Sequence, residues 1–445
     1  MAIADLRCKI ESRQARLGVV GLGYVGLPVA CALAGAGFRV TGVELRPERV
    51  AAINAGRSPI EGDEPGLADL LAKAVASGRF RATTKYDDLH DADVVTINVE
   101  TPVDDHDHKP RFQALKAACA SLGAVLREGA LVIVESTVAP GTTDRIVRPI
   151  LEEASGREVN EGFYLGHCPE RVMPGKLLAN IKNVSRVCGG STPETAATMV
   201  ALYRHIVRAE LDTADCVTAE LVKTTENAYR DVQIAFANEV ALICESVCAD
   251  VWKVRELVNK VPYRDMHRPG PGVGGHCIPK DPWLLAAGAG EDVPLRLIPA
   301  ARAVNDNMPL HVADLVVEAL RGAGREVAGS RVAVLGYSYL ADSGDTRNSP
   351  SEALVARLRD LGADVVIHDP WVEGYQGDVN DRVRGCDAAV LMVEHSAYRA
   401  LDWALLAAAL RTMLIIKGSC FQRPGGLAAR PGLARAESIS LGVSE

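Results

Sequence analysis

From Arg16 to Glu44 an apolar run (RLGVV) passes through a glycine turn into an alanine-rich stretch with helical spacing. A second apolar run (FRVTGVEL) follows, so the segment reads strand, turn, helix, strand. Further β-like runs, DVVTINV at 93–99 and ALVIVE at 130–135, alternate with helix-compatible segments as in a doubly wound parallel sheet. This alternation places a first domain at residues 1–205. The pattern then changes: residues 213–249 contain no Gly or Pro and carry apolar positions three and four apart, predicting one long helix in a central domain at 206–310. Its apolar positions spread over much of the circumference, as in a helix packed against several partners, including a second subunit. A helix over 301–322 leads into a third domain, 311–445, where βα alternation resumes at Arg331; its Ala/Gly/Arg/Pro-rich tail after about Gly425 is expected to be mobile.

With 445 residues, 48% apolar and 24% charged, the chain has the composition of a folded multidomain protein. A net charge of −8 gives no overall positive field for nucleic acid or anionic lipid, so an anionic ligand needs a local site. No apolar run is long enough to span a bilayer, and the charged N-terminus lacks a signal-peptide core, pointing to the cytoplasm and to no membrane partner. Eleven cysteines without a CxxC pair argue for reduced thiols.

GLGYVG carries Gly21, Gly23 and Gly26 between the first strand and its helix. In G-x-G-x-x-G the first glycine makes the turn, the second lets backbone N–H groups approach a pyrophosphate, and the third allows close helix–strand packing. Glu44 closes the second strand where a carboxylate binds ribose hydroxyls and repels a 2′-phosphate, favouring NAD over NADP. The third domain has only Gly336 at the corresponding turn. The fold class is therefore α/β: two Rossmann-like doubly wound parallel-sheet domains joined by a central helical domain. A second chemical centre is PGPGVGGHCIPKDPW at 269–283, a Pro/Gly loop that holds Cys277 beside His276, Lys280 and Asp281. Nearby cations favour a thiolate, and this cysteine reads as a nucleophile.

Together with ESTVAPGTT (135–143), CPERVMPG (168–175), ELVKTTENAYR (220–230), NDNMP (305–309) and GDTRNSP (344–350), these blocks make the chain resemble the UDP-glucose/GDP-mannose dehydrogenase family. The resemblance spans about residues 16–425. It implies NAD-dependent four-electron oxidation of a sugar C6 alcohol to a carboxylate, with Cys277 as nucleophile. Lys223 and Asn227, four apart on one helix face, would stabilise an oxyanion; Thr137, Glu170 and Asp281 would handle the proton or the hydrolytic water. The resemblance further implies a cofactor site at Gly21, Gly23, Tyr24, Val25, Gly26, Glu44, Thr101 and Thr137. Substrate contacts would come from Glu170, Arg171, Lys223, Asn227, Arg264, Gly274, Gly275 and Arg347. The partners implied are a UDP-sugar and further copies of the chain, as a homodimer or a larger homo-oligomer.

PERVMPG and GGHC look like the branch acting on N-acetylhexosamine nucleotides, and UDP-N-acetyl-D-mannosamine is the expected substrate. Lys280 is more typical of the glucose branch, so UDP-N-acetylglucosamine and UDP-glucose are the alternatives. Two further departures are Leu340, where the family has lysine, and Glu100, where it has proline. A two-electron hydroxy-acid dehydrogenase would share the first sheet but need neither Cys277 nor the third domain. The histidines and aspartates of DDHDHK (104–109) lack the spacing of a preformed metal site, and no metal is expected.

Overall fold

The computed structural model describes residues 2–60, 62, 64–290, 292–411 and 414–417; the tail after Gly425 lies outside them. An eight-stranded sheet has the order β3-β2-β1-β4-β5-β6-β7-β8. Its strands are β1 (Arg16–Val20), β2 (Arg39–Val43), β3 (Phe80–Thr83), β4 (Val94–Ile97), β5 (Ala130–Val134), β6 (Phe163–His167), β7 (Arg186–Gly190) and β8 (Leu211–Asp215). The pairings are parallel except β6 with β7. Side-chain alternation feeds two cores. Leu131 and Ile133 of β5 point into the core built around the Gly26–Gly35 helix, whereas Val132 and Val134 point into the opposite one. A second sheet, all parallel, has the order β10-β9-β11-β12, with β9 (Arg331–Leu335), β10 (Asp364–His368), β11 (Ala388–Leu391) and β12 (Leu414–Lys417). One face of it packs under the Leu297–Gly322 and Pro350–Asp360 helices through Val312, Val316, Leu354 and Leu358.

The long helix runs Cys216–Ser246, starting later than the expected 213. Thr213 to Asp215 instead complete the edge strand β8, whose half-exposed positions read equally well as a polar helix start. Asp215 fixes the boundary, because its carboxylate accepts from the Thr218 N–H at 2.8 Å and the Thr218 hydroxyl at 2.7 Å. The helix leading to the second sheet is longer than the sequence pattern indicates, beginning at Leu297.

Internal contacts divide the chain into two units, 1–226 with 280–294 and 227–279 with 295–445, so the boundary falls inside the long helix. Within the first unit that helix is tied by Glu220 to the turn that follows β5. Its carboxylate, 1% exposed, accepts from the Gly141 N–H at 2.5 Å, the Thr143 N–H at 2.8 Å and the Thr143 hydroxyl at 2.6 Å. Burial pushes its pKa up against these three donors. Glu220→Ala leaves both amides buried without an acceptor and is expected to cost about 3 kcal/mol of stability, read from urea denaturation monitored in the first unit.

Candidate active site

The glycine loop leaves β1 as the motif requires. Gly21 has φ +89°, and a Cβ there would lie 2.5 Å from the Asn98 carbonyl oxygen. A Cβ on Gly26 would lie 1.9 Å from the Gly21 oxygen, so the helix can approach the turn only without a side chain. Gly23 differs, because a Cβ there meets nothing within 4 Å. The middle glycine is thus not demanded by packing, and the loop leaves open space where a pyrophosphate would meet backbone N–H groups. These residues fit a dinucleotide. Tyr24 and Val25 lie between the glycines, and the Tyr24 hydroxyl donates to Glu64. Glu64 also accepts from the Gly175 N–H at 2.8 Å and the Leu177 N–H at 3.3 Å, joining the glycine loop to the end of CPERVMPG.

At the end of β2, Glu44 accepts from the Arg46 N–H at 3.1 Å and from Arg49 Nε at 3.2 Å. Arg49 also donates to the Leu22 carbonyl at 2.9 Å, so the carboxylate is held in place beside the turn. Thr101 donates its hydroxyl to the Thr137 carbonyl at 2.6 Å, and its own carbonyl accepts from Lys280 Nζ at 3.3 Å. Lys280 in turn pairs at 3.0 Å with Asp281, which is 1% exposed at the start of the Asp281–Ala287 helix. Lys280 therefore neutralises a buried carboxylate, a task independent of sugar identity. Two residues on, Trp283 stacks on His108 with centroids 4.1 Å apart, while Asp104 and Asp107 pair with Arg111. The DDHDHK loop is thus a packed, charge-paired turn.

Glu170 is buried and ion-paired with Arg186, a residue 1% exposed that sequence reasoning missed. Arg186 also lies 3.9 Å from Glu135 and stacks over the Tyr203 ring, whose hydroxyl donates to Glu135 at 2.5 Å. Burial, reinforced by the neighbouring charge of Glu170, pushes Glu135 up to about 7. An arginine at the start of a strand carries no signal for such a role. Arg171, expected to meet substrate, instead pairs with Glu226 and donates to the Ser185 carbonyl at 2.6 Å. Lys223 is 8% exposed on the long helix, and among the described residues its ammonium has neither an ion pair nor a hydrogen-bond partner. An ammonium left without a counter-charge on a mostly buried side chain is placed to take one from an anionic ligand. Asn227 follows one turn later on the same helix. Glu100 is exposed, and nothing in the structure explains it.

The second unit carries the cysteine loop. Cys277 is exposed, and its loop is fastened to the turn after β9. The Gly275 N–H donates to the Arg347 carbonyl at 2.8 Å, and Asn348 Nδ2 donates to the Gly275 carbonyl at 3.0 Å. A Cβ on Gly274 would lie 2.4 Å from Tyr339 Cβ, and one on Gly275, at φ +88°, would lie 2.8 Å from the Tyr339 ring. Asp345, and more weakly Tyr339 and Cys277, hold the Arg347 guanidinium above its ordinary value. Its guanidinium forks onto Asp345, with Nε to Oδ1 at 2.9 Å and a terminal nitrogen to Oδ2 at 2.5 Å. Diphosphate binding by Arg347 therefore requires sharing or exchanging that carboxylate. Leu340 is exposed and presents no cation, and Arg264 is exposed on the surface loop after the Val251–Val258 helix.

Three models of the UDP-glucose/GDP-mannose dehydrogenase family match the chain: the NAD binding domain over residues 15–207, the central domain over 217–307 and the UDP binding domain over 333–423. The chain is 38% identical over 403 residues to the UDP-N-acetyl-D-mannosamine dehydrogenase of Pyrococcus horikoshii, covering 91% of this chain and 95% of that protein. The solved structure of UDP-D-ManNAc dehydrogenase from Pyrococcus horikoshii superposes with a TM-score of 0.86 at 37% identity, covering 91% of this chain and 95% of that one. The NDP-N-acetyl-D-galactosaminuronic acid dehydrogenase of Methanosarcina mazei gives a TM-score of 0.83 at 35% identity, covering 96% of each chain.

Gly23→Ala separates cofactor binding from folding. The methyl group enters open space, so thermal stability is expected to stay within about 2 °C of wild type. It also occupies the approach to the backbone N–H groups, so NAD affinity measured by calorimetry is expected to fall at least about tenfold.

Proposed function

Because the chain belongs to the UDP-glucose/GDP-mannose dehydrogenase family of NAD-dependent nucleotide-sugar dehydrogenases, we propose that it oxidises the C6 alcohol of a UDP-N-acetylhexosamine, UDP-N-acetyl-D-mannosamine foremost, to the uronic acid. The observation that carries this reading is that Lys223, 8% exposed and without an ion pair or hydrogen bond among the described residues, shares one helix face with Asn227. Such a pair suits an oxygen that becomes negative during reaction, and one well-placed donor is typically worth about 3 kcal/mol in the transition state.

When bound, NAD accepts a hydride in each of two oxidations. In the first, the C6 hydroxyl proton passes to a base among Thr137, Glu170 and Asp281, directly or through water, leaving an aldehyde. The Cys277 thiolate then adds to the aldehyde carbon, and the resulting thiohemiacetal can lose a second hydride that the free aldehyde could not. Water positioned by Asp281 attacks the thioester, the C–S bond breaks, and Cys277 returns as thiol with the acid released. Lys223 and Asn227 serve the oxyanion of both tetrahedral species. Glu170, held by Arg186, keeps one orientation throughout. Arg264, Gly274, Gly275 and Arg347 take the nucleotide-sugar side, and Arg171 acts on it through Glu226. The sugar preference rests on PERVMPG and GGHC and on relatives named for N-acetylhexosamine substrates.

Self-association belongs to the same reading. Tyr229, Phe236 and Ile243 are 63%, 59% and 59% exposed on the long helix, and their seven-residue spacing lines them up as one apolar stripe. A second copy of the chain is the occupant that an uncharged, helix-borne stripe of this kind fits. Light scattering at micromolar concentration should give a dimer or larger assembly for wild type and a smaller mass for Phe236→Asp; a monomeric wild type refutes this.

The activity is tested by incubating the protein with NAD and, in parallel, UDP-N-acetylmannosamine, UDP-N-acetylglucosamine and UDP-glucose. Two NADH per sugar and the highest kcat/KM for an N-acetylhexosamine are expected. Cys277→Ala should bind NAD normally yet form no uronic acid beyond a slow trace through the hydrated aldehyde. One NADH per sugar, or near-wild-type uronic acid from Cys277→Ala, refutes the mechanism.

A further inference from the structure

Asn305, the first residue of NDNMP, lies 1% exposed in the Leu297–Gly322 helix and faces the long helix. Its Nδ2 donates to Asp231 twice, to the carboxylate at 2.8 Å and to the carbonyl at 3.0 Å. Its Oδ1 accepts from Asn238 Nδ2 at 2.9 Å, and Asn238, wholly buried, accepts at its own Oδ1 from the Gly270 N–H at 2.9 Å. The direction of this chain is not free. The Gly270 N–H can only donate, so Asn238 must turn its oxygen toward it and its NH₂ toward Asn305; Asn305 must then turn its NH₂ toward Asp231. Arg302, 2% exposed, closes the far end on Asp231 at 2.6 Å. The result is a one-way relay from a loop amide to a buried carboxylate, each bond polarising the next.

Gly270 opens the segment that reaches Cys277 seven residues later, a stretch of prolines and glycines with no strand or helix. The same NDNMP block touches it again. Gly272 has φ +134°, and a Cβ there would lie 3.2 Å from Pro309 Cδ and 2.9 Å from Pro350 Cβ. Downstream, Gly275 is held by Arg347 and Asn348. We propose that the Asn238–Asn305 relay is a positioning device for the cysteine loop: it fixes the upstream end of the segment so that Cys277 is presented at one place. Asn238 and Asn305 are positioning residues, acting through Gly270. This rests on the reading of Cys277 as nucleophile. A displacement of about 1 Å at a reacting group is enough to cost about a hundredfold in rate, so a bond far from the thiol can govern turnover.

The test compares Asn238→Ala, the isosteric Asn305→Asp and a stability control, Val390→Ala in the buried centre of β11. Asn305→Asp keeps the acceptor for Asn238 but replaces the NH₂ that donates to Asp231 by a carboxyl oxygen, breaking the relay at its last step without a cavity. Three readouts apply: steady-state kinetics, Gly270 amide exchange, and peptide-resolved iodoacetamide alkylation of Cys277 against pH, with exposed Cys8 as the internal reference. Both relay variants are expected to lose about 10–100-fold in kcat with KM for NAD within about twofold. Gly270 exchange should accelerate, and the Cys277 alkylation profile should shift while that of Cys8 does not. Val390→Ala should lose stability and leave Cys277 reactivity unchanged. If Asn238→Ala does not fold, Asn305→Asp decides alone. Wild-type kcat and alkylation in Asn305→Asp, or the same changes in Val390→Ala, overturn the proposal. An active Cys277→Ala would instead refute the nucleophile reading, so the two failures are distinct.

Discussion

A cysteine carried on a prolyl-glycyl loop, as Cys277 is, has no ladder of hydrogen bonds to place it, so its position must be imposed from outside the loop. In this chain the imposition is contact between bare backbone and Tyr339. Gly274 and Gly275 have no side chains because the tyrosine stands where their Cβ atoms would be. Their role is close approach more than flexibility. Tyr339 is set in turn by Asp369 at the end of β10. One Asp369 oxygen accepts from the Tyr337 and Ser338 N–H groups at 2.7 and 2.9 Å, and the other accepts from the Trp371 N–H at 2.8 Å. Burial works against the ionised form of Asp369, yet His395 and these amides outweigh it and hold the carboxyl well below its usual range. A buried charge in one sheet thus determines where a loop of another segment can rest.

The first unit uses carboxylates in the same manner. Glu220 gathers the PGTT turn onto the long helix, Glu64 gathers the glycine loop and the segment after Met173, and Glu135 with Glu170 encloses Arg186. Each joins sequence blocks that are distant along the chain, which explains why the blocks occur together. ESTVAPGTT and ELVKTTENAYR are two halves of one contact. Because Glu135, Glu170 and Glu220 are buried with their partners, removing one side leaves the other desolvated and unpaired, a larger loss than any surface ion pair would cause.

Much of this was legible in the sequence. The strand–glycine–helix pattern located the first sheet because parallel strands buried on both faces are apolar throughout, and the long helix was visible because 216–246 contains no breaker. The boundary at Asp215 was missed because an edge strand with exposed polar positions has the composition of a helix start. Among candidate site residues, Cys277 and the glycines stood out through local pattern, and Lys223 through the family resemblance of its block. The partners that orient them did not: Arg186, Glu64, Asn238 and Tyr339 reach their targets across 16 to 111 residues, and no local pattern encodes such pairings. Arg171 and Arg347 entered as substrate contacts through the resemblance, and nothing in the local sequence signals that their guanidinium groups pair with Glu226 and Asp345.

The two sheets also diverge at the acid closing their second strand. Glu44 stays beside the turn of the glycine loop, whereas Asp369 is consumed in holding its own loops, next to a turn that has only Gly336. Among the described residues the chain therefore offers a single dinucleotide socket. On the proposed four-electron course this sets a traffic rule: spent cofactor must leave and fresh cofactor enter between the two oxidations, while the half-oxidised sugar stays behind. A covalent tether to the cysteine then acts as a mooring as well as an activating bond, keeping a reactive aldehyde from drifting into solution during the changeover.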